Sequence, residues 1–129
     1  MWHEKLPENC PPEEAESPDG FYYRLVKNKE PISEDFVSLV EEGVSSGKDC
    51  KAFGVSLMGN LEDAKKLTKQ PRWKKLPIVR IAKIKLNGKS GVILDSPSRG
   101  SKSHKEWWRY KEYMPNNIEI IEGNEENEE

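Results

Sequence analysis

Ile78-Val79-Arg80-Ile81-Ala82-Lys83-Ile84-Lys85-Leu86-Asn87-Gly88-Lys89-Ser90-Gly91-Val92-Ile93-Leu94-Asp95 is the stretch on which the fold is decided. Its first half is apolar on both faces and then alternates, with Ile84 and Leu86 inward and Lys83 and Lys85 outward. That pattern predicts a central strand whose far end emerges into water. Asn87-Gly88 predicts a hairpin-type turn into a second strand, Gly91 to Asp95. This half of the chain is therefore sheet.

Working upstream, Gly59-Asn60 caps a helix through Leu61 to Leu67, with Leu61, Ala64 and Leu67 on one face and Pro71 as its stop. Before it, Phe53 to Met58 reads as a short strand, and the Ser- and Gly-rich Val44 to Lys51 as a loop. Pro31 to Phe36 is a helix entry: Ser33 is the N-cap, Glu34 and Asp35 face the positive dipole end, and Ile32 staples onto Val37. Phe36, Val37 and Val40 form the stripe to be buried, and Gly43 ends the helix. Phe21-Tyr22-Tyr23-Arg24-Leu25-Val26 is aromatic and β-branched, a strand begun at the Asp19-Gly20 turn.

Working downstream, Ser96 to Ser103 reads as a mobile polar loop, and Glu106 to Tyr113 alternates as a strand does. Trp107 shares parity with Arg109, and Trp108 with Glu106 and Tyr110, so either face can be the buried one. Met114 to Asn117 turns the chain into a last short strand, Ile118 to Ile121. The expected fold is α+β, a small mixed or antiparallel sheet of about six strands with two short helices. It occupies residues 21–121, between an acidic Pro-rich extension over 1–20 and an acidic tail over 122–129.

The 129 residues suffice for one core and one site. The net charge of −2 conceals a segregation of sign, because residues 65–111 carry fifteen Lys or Arg against only Asp95 and Glu106. Such a field favours an anionic ligand: phosphates, nucleic acid or an acidic protein. No stretch approaches a membrane span and the start lacks a signal-peptide pattern, so a soluble, cytoplasmic protein without membrane partners is expected. Cys10 and Cys50 then imply no disulfide framework, and two Cys with His3 and His104 at no ligand spacing imply no metal.

Several side chains are suited to chemistry. Arg24 can hold a pyrophosphate through paired N–H bonds, and Glu106 can stabilise an oxocarbenium-like charge. His104, following the Ser-rich loop, is of the residue type suited to acid–base catalysis. Trp107, Trp108, Tyr110 and Tyr113 can stack a nicotinamide, an adenine or unpaired bases, or pack in the core. Lys65, Lys66, Lys69, Arg72, Lys74 and Lys75, with Trp73 among them, have the composition of a nucleic-acid footprint or of a solvated face.

Tyr23-Arg24 on the first strand, Ser56 on the second and Glu106 before the last, in this element order, resemble the small ADP-ribosyltransferase fold of the bacterial Arg-Ser-Glu toxin class. The resemblance spans residues 21–121. It implies NAD as substrate, with Tyr23 and Arg24 at the phosphate site, Ser56 beside the nicotinamide and Glu106 at the anomeric carbon; Trp107 joins them as the aromatic candidate for contact with the cofactor. Transfer of ADP-ribose or hydrolysis of NAD would follow. The chain departs from the class in two places: Val55-Ser56-Leu57-Met58 keeps one serine of a Ser-Thr-Ser strand, and His104 stands where an acid or amide precedes the glutamate by two. The alternative is a non-catalytic module of the same fold, engaging nucleic acid or an acidic protein through the basic face. A third possibility is that the acidic ends imitate nucleic acid in a partner's basic groove.

Overall fold

A computed structural model describes residues 2, 6–26, 36, 38, 49–76, 79–97, 102–113 and 118–123. Apart from Phe36 and Ser38, the helix expected over 33–42 lies outside these residues, as do the turn at 114–117 and the end of the acidic tail. The strands are β1 (Gly20–Val26), β2 (Val55–Met58), β3 (Arg80–Leu86), β4 (Gly91–Asp95), β5 (His104–Arg109) and β6 (Glu119–Gly123). They form one six-stranded sheet in the order β4-β5-β2-β1-β3-β6, antiparallel at every pairing. The protein is thus α+β and mostly β.

Helix α1 (Leu61–Thr68) begins as expected, with the Asn60 side chain accepting from the Asp63 N–H at 2.8 Å. Pro71, expected only to end it, also opens α2 (Pro71–Lys74), where its missing N–H costs no hydrogen bond. Phe53, expected in β2, instead closes a 3-10 turn over Cys50–Phe53.

The hairpin expected at Asn87-Gly88 is not formed, because β3 and β4 lie four positions apart in the sheet. Four steps of a flat sheet would span roughly 19 Å, more than five extended residues reach, and the Ser90 N–H to Asn87 carbonyl bond shortens the link further. The sheet therefore rolls until β4 approaches β3. Its enclosed face buries Tyr22, Val26, Val55, Leu57, Ile84, Leu86, Ile93 and Trp107 in one cluster. On the other face, α1 and α2 lay Leu61, Leu67, Trp73 and Leu76 over Leu25, Met58 and Ile81. The Trp107/Trp108 ambiguity resolves into burial of both, on opposite faces of β5.

The N-terminal residues are tied to this sheet. Glu16 exchanges both backbone hydrogen bonds with Ile93, at 2.8 and 2.7 Å, and so covers the free edge of β4. Trp2 packs on Tyr110 with ring centroids 5.0 Å apart. Cys10 and Cys50 are disulfide-bonded, which corrects the expectation of free thiols. Their separation of 40 residues carries no spatial signal; what brings them together is the path of the N-terminal segment back along the rolled sheet.

Candidate functional site

The β2–β5 ladder sets Ser56 opposite Glu106 and Met58 opposite His104. Side chains at register partners share a face, and so do residues two apart on one strand. Ser56, His104, Glu106 and Trp108 are therefore presented on a single face by backbone pairing alone. They do converge: the Ser56 hydroxyl hydrogen-bonds His104 Nε2, which is 3.8 Å from Glu106 Oε2.

The imidazole's orientation follows from its second nitrogen. His104 Nδ1 lies 2.8 Å from the Ser96 carbonyl oxygen, and a carbonyl can only accept, so Nδ1 carries the hydrogen. In the neutral ring Nε2 is then the acceptor and Ser56 donates to it. The Ser96 N–H in turn donates to the His104 carbonyl at 2.8 Å, fixing the loop's first residue to β5.

Glu106 is 8% exposed, and among the described residues no group hydrogen-bonds its carboxyl. Burial pushes its pKa up to about 7, while the charges of Lys51 and Arg24 draw it down and Asp49 adds a smaller upward push. Gly54 makes room for it: a Cβ there would lie 3.1 Å from both Glu106 Cβ and Oε1, and 3.3 Å from the Trp108 ring. Arg24 enters from β1. That strand shares one register pair with β2, Tyr23 with Met58, and beyond it Arg24 Nη1 donates to the Ser56 carbonyl at 2.7 Å.

Three expected site residues are thus brought together on one face, Ser56, His104 and Glu106; Arg24, two residues from Tyr22 and from Val26, leaves β1 on the enclosed side, reaches the Ser56 main chain and acts on the carboxyl through its charge. Two others are not brought in. Trp107 is fully buried on the enclosed face, donating Nε1–H to the Ser90 carbonyl at 3.1 Å and packing edge-on to Tyr113, so it is core and no stacking platform. Tyr23 packs toward the cluster beneath the helices. In the basic block, Lys66, Lys69, Lys74 and Lys75 are exposed and Lys65 is half-buried; Trp73 packs inward and does not interleave with them. The side chain of Arg72 lies outside what is described.

Sequence reading missed Gly54, Lys51 and the Asp63–Ser103 anchor. A glycine entering a strand is a recognised mark of close approach, and Gly54 carried that signal. Lys51 lay in an expected loop with nothing to link it to Glu106. Asp63 Oδ2 accepts from both the N–H and the hydroxyl of Ser103, at 2.9 and 2.7 Å, and these bonds hold its carboxyl below the usual range. Ser103 immediately precedes His104, so α1 fixes the second end of the loop. Asp63→Ala should cost about 1–2 kcal/mol and speed exchange of the Ser103 amide hydrogen. An unchanged exchange rate would show that the anchor holds nothing in place.

This arrangement favours developing positive charge. A buried carboxylate would repel the oxyanion of an acyl-transfer intermediate, which needs N–H donors. The same carboxylate stabilises an oxocarbenium-like centre, and a neutral Ser–His pair beside it can position or deprotonate an incoming hydroxyl. Among the described residues no three His, Cys, Asp or Glu side chains form a metal-binding group. No described helix is long and apolar enough to cross a membrane. No protein-family model, no curated protein and no solved structure matches the chain.

Proposed function

We propose that the protein is an NAD-binding domain of ADP-ribosyltransferase-like fold that cleaves the nicotinamide–ribose bond, releasing ADP-ribose to water or to an acceptor. The observation carrying this reading is the largely buried Glu106 carboxyl, set beside the Ser56–His104 pair and within reach of the Arg24 charge.

In this reading Arg24 sits at the edge of the phosphate site, where a guanidinium can meet pyrophosphate oxygens. Ser56 orders the nicotinamide side, and Glu106 faces the anomeric carbon as nicotinamide leaves. His104 Nε2, its lone pair fixed by the Ser96 carbonyl, is the base nearest to an attacking hydroxyl. Tyr23 contributes packing beneath the helices rather than contact with the ligand. The positive charge concentrated in residues 65–111 favours approach of the dinucleotide.

NAD titration followed by thermal shift and by nicotinamide release tests this directly. Arg24→Gln should weaken NAD binding by roughly ten- to a hundredfold, the loss of charge-assisted bonds to phosphate. No stabilisation at millimolar NAD would sink the reading. It would leave the non-catalytic module, with Lys66, Lys69, Lys74 and Lys75 as its exposed contacts to nucleic acid or an acidic protein.

A further inference from the structure

We propose that the Cys10–Cys50 disulfide is a redox latch on the wall of the Glu106 site. Cys50 is the first residue of the 3-10 turn, and its carbonyl accepts the Trp108 Nε1–H at 3.2 Å. Asp49 caps that turn by accepting from the Lys51 N–H at 3.2 Å, and the turn closes with the Gly54 N–H on the Lys51 carbonyl at 3.0 Å. Four residues after Cys50, Gly54 lies in contact with Glu106 and the Trp108 ring. The segment 49–54 is thus one wall of the site, and it also carries the Lys51 charge that acts on the carboxyl.

Few bonds hold this wall. Its turn is four residues long, Asp49 and Lys51 are exposed, and Ala52 is the residue of the turn that is buried. From outside it is held by the Trp108 hydrogen bond to the Cys50 carbonyl and by the covalent bond to Cys10, whose own segment is fixed further along by the Glu16–Ile93 pairing. Both cysteines are only half-buried, so a small dithiol can reach them.

Opening is a two-electron step. A dithiol's thiolate attacks one sulfur, the Cys10–Cys50 bond breaks and that second sulfur leaves as a thiolate and takes a proton. The reductant's other thiolate then resolves the mixed disulfide, releasing the first-attacked cysteine as a thiol and leaving the dithiol oxidised. The freed wall is drawn from the least stable part of the structure and opens locally while the sheet stays folded. Control of catalysis by this step rests on the NAD reading above; the opening itself does not.

The test compares oxidised protein, dithiol-treated protein and Cys10→Ser under limited trypsin digestion, with mass-resolved cleavage sites. Cleavage after Lys51 should rise by about tenfold or more on reduction and in Cys10→Ser, with cleavage after Lys85 in the β3–β1 ladder unchanged. A bridge that merely adds global stability would raise both sites together, and that result overturns the latch. So does free-thiol titration that finds two thiols in the air-equilibrated protein. Nicotinamide release should fall on reduction by about tenfold. If neither form releases nicotinamide the functional reading fails, and the latch is decided by the cleavage pattern alone.

Discussion

Glu106→Gln is expected to melt roughly 10 °C above the native protein at pH 8.5 and close to it at pH 5, while losing at least about a hundredfold in nicotinamide release. The argument starts from burial. In the folded protein the carboxyl titrates at about 7, against an ordinary value of 4.5. Between those values the folded state holds a proton that the unfolded state has given up. Stability from this group is thus complete below about pH 4.5, declines as pH rises, and is gone once pH has passed through about 7. The cost of ionising in place is on the order of 3 kcal/mol. The amide of glutamine has nearly the same shape and no charge to desolvate, so the variant escapes that cost at high pH only.

The two readouts move in opposite directions, and this separates function from structure. Oxocarbenium stabilisation needs the carboxylate, so kcat/KM of the native protein should rise with pH through about 7. The protein would be most active where this residue destabilises it most, the exchange expected of a functional group kept in a poor environment. Native and Glu106→Gln proteins with parallel melting curves at all pH values would remove the premise. A variant that releases nicotinamide at the native rate would remove the role.

The site was legible in the sequence to the extent that strand pairing creates it. Once Ser56 and Glu106 lie on neighbouring antiparallel strands in register, period-two alternation places His104 and Trp108 with them. Alternation along each strand also gave Ile84 and Leu86 inward and Lys83 and Lys85 outward, and the burial agrees. What alternation cannot supply is the order of strands. Nothing local to Asn87-Gly88 distinguishes a hairpin from a link that crosses the mouth of a rolled sheet. Trp107 shows the consequence: its face is fixed by β4 and by Tyr113, partners whose placement depends on that roll. Likewise Cys10 meets Cys50 only because the N-terminal segment returns to β4, a contact that composition reads as solvated chain. The burial of the Glu106 carboxyl is invisible in sequence for a further reason, since the surroundings of a charged group are a property of the whole fold.

Gly91→Ala is expected to lose on the order of 4 kcal/mol, enough to unfold a domain of ordinary stability in part, whereas Gly88→Ala should be nearly neutral. Sequence alone points to Gly88, the glycine of the Asn-Gly turn. The structure transfers the demand to Gly91, where the chain has crossed over and enters β4 with φ at +136°, a conformation that side-chain-bearing residues rarely adopt. A Cβ at Gly91 would overlap the Trp108 carbonyl oxygen and lie 2.9 Å from Arg109 Cα and 3.0 Å from Trp107 Nε1. Two of these three are main-chain atoms of the neighbouring strand, so no rotamer change relieves the clash. Relief requires β4 to move off β5, which would open the Gly91–Arg109 end of the ladder and draw Ile93 away from Trp107. At Gly88 a Cβ meets only the Ser17 hydroxyl oxygen, at 3.9 Å. Urea titration of the two variants should therefore show a midpoint far below the native one for Gly91→Ala and one indistinguishable from it for Gly88→Ala. Equal midpoints would mean that β3 and β4 form the simple hairpin after all, and the β4–β5 pairing on which the rolled sheet rests would lose its basis.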